Sequence, residues 1–369
     1  MLLAIELLDE LVGATYAAAW PLIRDDLGLN YAEVGIVLAV PGFVGSALDP
    51  LIGAAADTVR RRALLLIGGF AFALSAALAS ASIGFWTLLS ALVIGNPSTG
   101  AFVSLAQATL MDLGPERRER NMAWWTLAGS FGYVGGPVVL TVALWIGVGW
   151  RGALAGLALM ALSLTLAARR LPSVFHRDGG SVVQSLAAAL RALRRREVLR
   201  WLALLEAADL LLDTLFYFLA LYLVDVAGWS VVEAAFGVAV WTGAGLVGDA
   251  LLIPVLRFVH GTTYLRASAL GALVCYPLFL VAPGHWPKLA VLAALGLLNS
   301  GWYAIPKAGL YGALPGQSGA AIALGGITGF IGASVPLAIG IAAEIAGLGA
   351  TMWALLAAPL ILLALTPRR

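Results

Sequence analysis

Two triplets of acidic residues carry the chemistry that this sequence suggests. Glu6, Asp9 and Glu10 form one triplet, and its counterpart, Glu206, Asp209 and Asp213, follows about 200 residues later; both lie in long apolar runs. Spacings of three and four residues place each triplet on one face of a helix. Carboxylates clustered where water is scarce cannot all ionise, because desolvation and mutual repulsion favour the protonated form. We therefore expect these acids, and Asp9 and Asp209 above all, to bind protons or a cationic substrate.

The same acids have an alternative role. Glu6 and Glu206 lie only about one helical turn inside their apolar runs, where they would line a vestibule or pair with arginines such as Arg117, Arg118 and Arg200. Other side chains of the apolar runs are candidates for substrate contacts: Tyr16, Tyr217, Trp302 and Lys307. Anchoring at the membrane surface is the alternative for the aromatic residues. Lys307 either extends its side chain to the inner surface, or serves as a counter-ion or as a contact for an anionic substrate.

The elements that position these residues are membrane-spanning helices. The chain has 369 residues, of which 61% are hydrophobic and 11% charged, and its mean hydropathy is +0.95. A soluble domain is about one quarter charged and about half apolar, so part of this surface must face lipid. Apolar runs of about 20 residues predict transmembrane helices. We count twelve, between residues 2 and 366, without the short alternating segments of a membrane barrel.

The composition also excludes several classes of function. A formal net charge of +2 is too small to indicate nucleic-acid binding, and three histidines with one cysteine do not suffice for a histidine- or thiolate-based metal site. We find no phosphate-binding Walker A loop, no HExxH motif and no nucleophile–base arrangement. The sequence therefore predicts neither an enzyme nor a cofactor.

The chain repeats itself at a distance of 200 residues. Five acids recur at this distance with the same residue type: Glu6 and Glu206, Asp9 and Asp209, Asp25 and Asp225, Glu33 and Glu233, Asp49 and Asp249. Gly28 and Gly45 recur as Gly228 and Gly245. Acids are rare in this chain, so chance is a poor explanation, and we expect two copies of a six-helix unit with a substrate site at their interface. The acids near Gly28 and Gly228 predict matched turns and helix caps.

Arginine distribution predicts orientation and domain boundaries. With both termini inside, the inner segments hold 18 of the 22 lysines and arginines and the outer ones hold three, which fits the rule that cytoplasmic loops are basic. The longest loop, 170–199, separates a bundle at 1–169 from a bundle at 200–369. Its segment 181–197 predicts an amphipathic linker helix on the inner membrane surface.

A charged segment after the second predicted span resembles a family signature. Residues 53–63 read GAAADTVRRRA, and the major facilitator superfamily carries G-x-x-x-D-R/K-x-G-R/K-R/K at the corresponding loop. Gly53, Asp57, Arg61 and Arg62 match this pattern, whereas Thr58 and Arg60 depart from it. The resemblance implies an inner latch of these four residues that holds the outward-open state. The arginines have a second interpretation as topology signals alone.

Other residues fit the same family. The segment GYVGGP, with Gly132, Gly136 and Pro137, resembles the G-x-x-x-G-P core of proton-driven exporters, although the trailing glycine pair and the arginine motif of the fourth span are absent. We expect Gly132 and Gly136 to pack closely and Pro137 to kink its helix. Asp49 and Asp249, near the inner ends of the second and eighth spans, suggest a gate network.

The resemblance implies an all-α membrane protein of two pseudo-symmetric six-helix bundles. In that fold the first and seventh spans line a central cavity, so both acidic faces would border it. It further implies a monomeric secondary transporter of the inner membrane, working by alternating access. Proton-coupled export of a small organic compound is the expected activity, most similar to bacterial drug-efflux members of the fosmidomycin-resistance type. The alternatives are an uptake symporter and a non-transporting receptor or scaffold.

Overall fold

Helices make up almost all of the described chain. The structure, a computed structural model, describes residues 1–58, 61–113, 118–170, 190–313 and 318–367; most side chains within 50–61, 108–126 and 311–327 lie outside this description. No strand occurs in these ranges, as the sequence predicts. The chain divides into two compact units, residues 1–182 (the first half) and 183–369 (the second half). Residues 171–189 are outside the described residues, and they include 181–189 of the predicted linker helix at 181–197.

The described part of the first half contains seven helices. Their bounds are α1 Leu2–Leu27, α2 Tyr31–Thr58, α3 Arg61–Ser80, α4 Phe85–Thr99, α5 Leu105–Leu113, α6 Arg118–Trp145 and α7 Gly149–Ala168. A π-helical turn, Gly100–Ser104, joins α4 to α5. Pro137 lies inside the unbroken helix α6.

The second half follows the same order. Its described helices from Arg196 onward are α8 Arg196–Asp209, α9 Leu215–Asp225, α10 Val231–Val255, α11 Gly261–Val281, α12 His285–Asn299, α13 Ala304–Ala313, α14 Ser318–Ala346, α15 Leu348–Thr351 and α16 Ala357–Leu365. A π-helical turn, Leu210–Thr214, joins α8 to α9, and a 3-10 turn, Met352–Leu356, joins α15 to α16.

Eleven segments of the described chain are long and apolar enough to cross a membrane. The twelfth span predicted from the sequence is α1. This helix has 26 residues, about 39 Å at 1.5 Å per residue, so its length suffices. Its acids and Arg24 make it too polar to count among the eleven. The charges that suggest function are therefore the ones that weaken its membrane-helix signal.

Corresponding helices pack on corresponding partners in each half. In the first half α1 lies along α6, α2 along α4, and α3 against α4 and α7. In the second half α8 contacts α14, α10 lies along α12, and α11 packs against α12 and α16. Each pairing recurs at the 200-residue distance, as the repeated acids indicate.

Matched turns follow the first membrane helix of each half. Gly28 and Gly228 adopt left-handed conformations, with φ of 62° and 72°, which glycine reaches without strain. The Glu33 carboxylate accepts a hydrogen bond from the backbone N–H of Asn30 at 2.9 Å, and the Asn30 side-chain oxygen accepts one from the backbone N–H of Glu33 at 2.8 Å. Ser230 and Glu233 form the same capping box. The predicted caps are confirmed at Glu33 and Glu233, whereas Asp25 lies in the last turn of α1 and Asp225 is the last residue of α9.

In each half, a cationic side chain donates hydrogen bonds to carbonyl groups at the C-terminal end of the third membrane helix. In the first half Arg151 donates to the carbonyls of Ser80 and Ser82, at 3.0 and 2.6 Å, and forms a 2.8 Å ion pair with Asp26. In the second half Lys288 donates to the Phe279 carbonyl at 2.6 Å. The sequence placed Lys288 in an outer segment. It lies in the first turn of α12 and is only 4% exposed, because the unpaired carbonyls at a helix end attract a cation.

Candidate functional site

The first acidic triplet lies on α1 against α4 and α6. The Thr99 hydroxyl, at the end of α4, donates to the Asp9 carboxylate at 3.2 Å. The indole N–H of Trp125, on α6, donates to the Glu6 carboxylate. Glu6 is 8% exposed and Asp9 is half-buried. Two neighbouring acids are therefore held by neutral donors, and no arginine or lysine of the described chain forms an ion pair with either.

Glycines of α6 let α1 approach closely enough to build this cluster. A Cβ at Gly129 would lie 2.9 Å from Glu6 Oε1, and one at Gly132 would lie 2.5 Å from Glu10 Cβ. At Gly136 a Cβ would collide with the backbone of Ala14 and Thr15, and the Thr15 hydroxyl donates to the Gly136 carbonyl at 3.3 Å. The predicted close packing of Gly132 and Gly136 is confirmed, and its partner is the acid-bearing face of α1.

The second triplet occupies the corresponding place on α8. The Thr328 hydroxyl, on α14, donates to the Glu206 carboxylate, as Trp125 on α6 does to Glu6. A Cβ at Gly332 would lie 3.6 Å from Glu206 Oε2, so Gly332 takes the place of Gly132. Asp209 ends α8, and Asp213 lies in the π-helical turn that follows, with an exposed side chain.

Lys307 distinguishes the second cluster from the first. It lies on α13, within a candidate span, and its charge acts on the Asp209 carboxylate. Its ammonium group also lies 5.5 Å from the centre of the Tyr303 ring. Lys307 is half-buried. Of the three interpretations from the sequence, this placement favours a counter-ion for the acids over a side chain extended to the membrane surface or a contact for an anionic substrate.

The fourth membrane helix of each half ends against the acid-bearing helix. Thr99 reaches Asp9, and the Asn299 amide donates to the Leu211 carbonyl of the π-helical turn at 3.2 Å. These two polar residues are separated by 200 positions, but the sequence comparison followed only acids and glycines and missed them. Trp125 and Thr328 were missed as partners of the acids for a different reason, since their pairings join distant helices.

The aromatic candidates take different positions. Tyr16 lies two turns beyond Asp9 on the same face of α1, and its hydroxyl is buried without a hydrogen-bond partner among the described residues. Tyr217 is half-buried beside Phe216. Trp302 is fully buried, and its indole donates to Ser268 at 2.9 Å within the second half. That position is one of internal packing, so we leave Trp302 out of the proposed site.

The gate candidates lie at interruptions of the fourth helices. A Cβ at Gly100 would lie 2.5 Å from Asp49 Oδ1. The Asp49 carboxylate therefore lies beside the point where α4 ends and the π-helical turn begins. The Asp249 carboxylate accepts from the N–H of Gly301, whose φ is +75° in the break between α12 and α13. Of the proposed latch, the Arg62 side chain is exposed. The side chains of Asp57 and Arg61, and the surroundings of Gly53, lie outside the described residues.

A family model described as Major Facilitator Superfamily matches residues 2–337 of this chain. The chain belongs to the Major Facilitator Superfamily. It is accordingly a multi-pass membrane transporter for small molecules and not an enzyme.

The fold resembles those of two solved transporters. A bacterial homologue of the human lysosomal transporter Spinster, inward-facing and unoccupied, has a TM-score of 0.80 at 14% identity, over 99% of this chain and 94% of that one. The nucleoside transporter NupG has a TM-score of 0.80 at 13% identity, over 100% and 98%.

Curated relatives within the superfamily include bacterial resistance proteins. The tetracycline resistance protein, class E, of Escherichia coli is 32% identical over 38% of this chain and 35% of its own length. The quinolone resistance protein NorA of Staphylococcus aureus is 24% identical over 32% and 30%. The alignments therefore span about a third of these two proteins. The transcription regulatory protein OpdE of Pseudomonas aeruginosa is 26% identical over 76% of this chain and 71% of its own length.

Proposed function

We propose that this transporter exports a small organic compound in exchange for protons. The observation that carries the proposal is the pair of matched acidic clusters, with Asp9 held by Thr99 and Glu6 by Trp125 in the first half. An ionisable group inside a membrane costs at least about 2.5–3.5 kcal/mol at the centre of the bilayer. Buried acids without an ion-pair partner among the described residues are neutralised most cheaply by taking up a proton. Proton uptake and release at Asp9 and Glu6 then drive the conformational cycle.

The two halves contribute unequal groups to this cycle. Lys307 partly compensates the charge of Asp209 in the second half, whereas the donors to Glu6 and Asp9 among the described residues are neutral. We assign the proton primarily to the first cluster, with Glu10 as its neighbour. In the second cluster, Asp209, Asp213 and Glu206 bind a cationic or hydrogen-bonding group of the substrate when Lys307 moves away. Tyr16, whose hydroxyl has no partner among the described residues, and Tyr217 supply further hydrogen bonds.

The direction of transport rests on similarity to the two resistance proteins, whose names indicate drug resistance. Export would then remove tetracycline-like or quinolone-like compounds, or others of that size. In this cycle the residues Asp49, Asp249, Gly53, Asp57, Arg61 and Arg62 form the gate that separates the outward-open from the inward-open state. Uptake by symport is the alternative direction, and it uses the same carboxylates.

A regulatory role without transport is a second candidate. The name of the Pseudomonas relative, a transcription regulatory protein, favours it. Such a protein would bind its compound and change conformation without moving protons, so the two candidates differ in one measurable quantity.

Purified protein in proteoliposomes distinguishes these functions. A thermal-shift screen across pH, starting with tetracycline and norfloxacin, identifies a compound that binds. The compound is then added to vesicles that hold a pH-sensitive dye and an imposed pH gradient. Export by antiport predicts that compound and protons move in opposite directions. Movement in the same direction indicates symport, and binding without proton movement indicates the regulatory role.

A further inference from the structure

A cavity in the second half lies at the ends of three membrane helices, away from the acidic clusters. Its volume is about 480 Å³, and its lining residues are Arg196, Glu197, Arg200, Trp201, Thr262 and Pro367. The candidate spans Arg196–Asp225 and Gly261–Val281 begin here, and Leu348–Leu365 ends here. The cavity therefore lies where apolar helix surface gives way to water, which is the level of lipid headgroups.

The charges of the cavity favour a phosphate group. Arg196 and Arg200 are both exposed, and neither forms an ion pair within the described part of the chain. A guanidinium group binds phosphate oxygens through two parallel hydrogen bonds. Glu197 is the single acid of the lining, which leaves an excess of one positive charge. Its carboxylate would repel the phosphate itself but accepts hydrogen bonds from hydroxyl groups beside it.

Backbone groups at the cavity add to this preference. Helix α8 begins after Arg195 and α11 begins after His260, and neither residue caps its helix with a side-chain hydrogen bond. The free N–H groups of the first turns attract anions. Trp201, which is 9% exposed, packs with its ring over Gly309 of α13 and forms an apolar wall. Tryptophan is enriched at this depth of membrane proteins.

We propose that this cavity binds the headgroup of an anionic phospholipid, with its phosphate on Arg196 and Arg200 and its hydroxyl groups facing Glu197. The acyl chains extend along the apolar surface of the adjoining helices. Basic pockets between membrane helices are suited to such headgroups. A lipid bound here would fix the start of α8, the helix that carries Glu206 and Asp209. The inference is independent of the direction or coupling of transport.

The test is a thermal melt of the full chain in neutral detergent, in which tryptophan fluorescence monitors unfolding. Phosphatidylglycerol, phosphatidylcholine and inorganic phosphate are titrated in separate arms. Arg196→Gln with Arg200→Gln removes the two cavity charges. The control, Arg194→Gln with Arg195→Gln, removes two exposed charges immediately before them that do not line the cavity.

We expect phosphatidylglycerol to raise the melting temperature saturably, with little effect of phosphatidylcholine or phosphate. The cavity variant needs about tenfold more phosphatidylglycerol for half the shift, and the control variant stays within about twofold of the unmodified protein. Equal responses of the two variants, or no response to phosphatidylglycerol, would overturn the site. A full shift with inorganic phosphate alone would overturn the lipid assignment in favour of a soluble anion.

Discussion

The Thr99 hydroxyl donates a 3.2 Å hydrogen bond to the Asp9 carboxylate and so joins the end of α4 to the acidic face of α1. A carboxylate inside a membrane helix is tolerated when a partner satisfies it. Here the partner is neutral, so in the proposed cycle Asp9 gains and loses a proton. The pair connects Asp9 to the interruption of the fourth helix at Gly100, the position that Asp49 faces.

Removing the Thr99 hydroxyl should impair transport. Thr99→Val keeps the shape of the side chain but removes the donor to Asp9, whereas Thr99→Ser keeps the donor. We expect the valine variant to lose about tenfold in transport rate, equivalent to a hydrogen bond to a charged group, and the serine variant to stay near the unmodified rate. Initial rates in proteoliposomes measure both. A valine variant as active as the serine variant would show that this hydrogen bond has no part in the cycle.

Adding one methyl group at Gly132 should destabilise the first half. The new Cβ of Gly132→Ala would meet Glu10 and the backbone of α1, and overpacking of this kind costs about 1–3 kcal/mol. The matched control is Gly156→Ala on α7, where a Cβ meets no atom within 4 Å. That variant should gain about 0.5–1 kcal/mol from its higher helix propensity. Thermal melts in one detergent measure both changes, and melting temperatures that move in the same direction would contradict the packing described here.

Two adjacent acids at the end of α1 should differ in their contribution to stability. Asp26 forms the 2.8 Å ion pair with Arg151 and accepts from the Trp150 indole at 3.1 Å. The exposed carboxylate of Asp25 has no such contact among the described residues. Asp26→Asn should therefore cost about 1 kcal/mol of stability, the upper range for an exposed ion pair, and Asp25→Asn close to none. Added salt should weaken only the Asp26 effect. Equal melting temperatures at low salt would show that the Arg151 contacts do not depend on this acid.

Neutralising Asp57 should shift the balance between the two open states. Asp57→Asn keeps the side-chain volume but removes the charge that the proposed latch needs, so the inward-open state should gain population. Cys275 is the only cysteine, and Cys275→Ser provides a background for reporter cysteines near each end of the helices. Labelling rates then report the balance. Glu33→Gln, at the opposite end of α2, is the control, since glutamine also serves in a capping box. Unchanged labelling in Asp57→Asn would remove the latch from the account.

Sequence patterns predicted the helices and the repeat because both depend on local composition. Apolar runs of about 20 residues define membrane helices, and the 200-residue recurrence of acids and glycines anticipated the matched turns at Gly28 and Gly228. Only α1 was ambiguous by composition, because its acids lower its hydropathy. The predicted packing of Gly132 and Gly136 was confirmed because small residues at four-residue spacing have few other uses in a membrane.

The remaining features depend on contacts between distant segments. Nothing local to Trp125 or Thr328 indicates that each donates to a glutamate on another helix. The break at residues 300–303 was missed because its flanking residues are apolar enough to continue a span. The burial of Lys288 could not be predicted, because the carbonyls at the end of α11 that bind it belong to another helix. A counter-ion role for Lys307 was one of three possibilities, because its effect on Asp209 also joins two separate helices.

Dye-filled proteoliposomes measure the central claim most directly, that the carboxylates of Asp9 and Asp209 couple proton movement to transport. A compound identified by thermal shift is added to vesicles with an imposed pH gradient, and the internal pH is followed. The unmodified protein and Asp25→Asn, an exposed acid on the same helix as Asp9, should let the compound discharge the gradient. Asp9→Asn should bind the compound but leave the gradient intact, whereas Asp209→Asn should bind the compound more weakly and also fail to discharge the gradient. Discharge of the gradient at the unmodified rate in both asparagine variants would contradict the carboxylate mechanism.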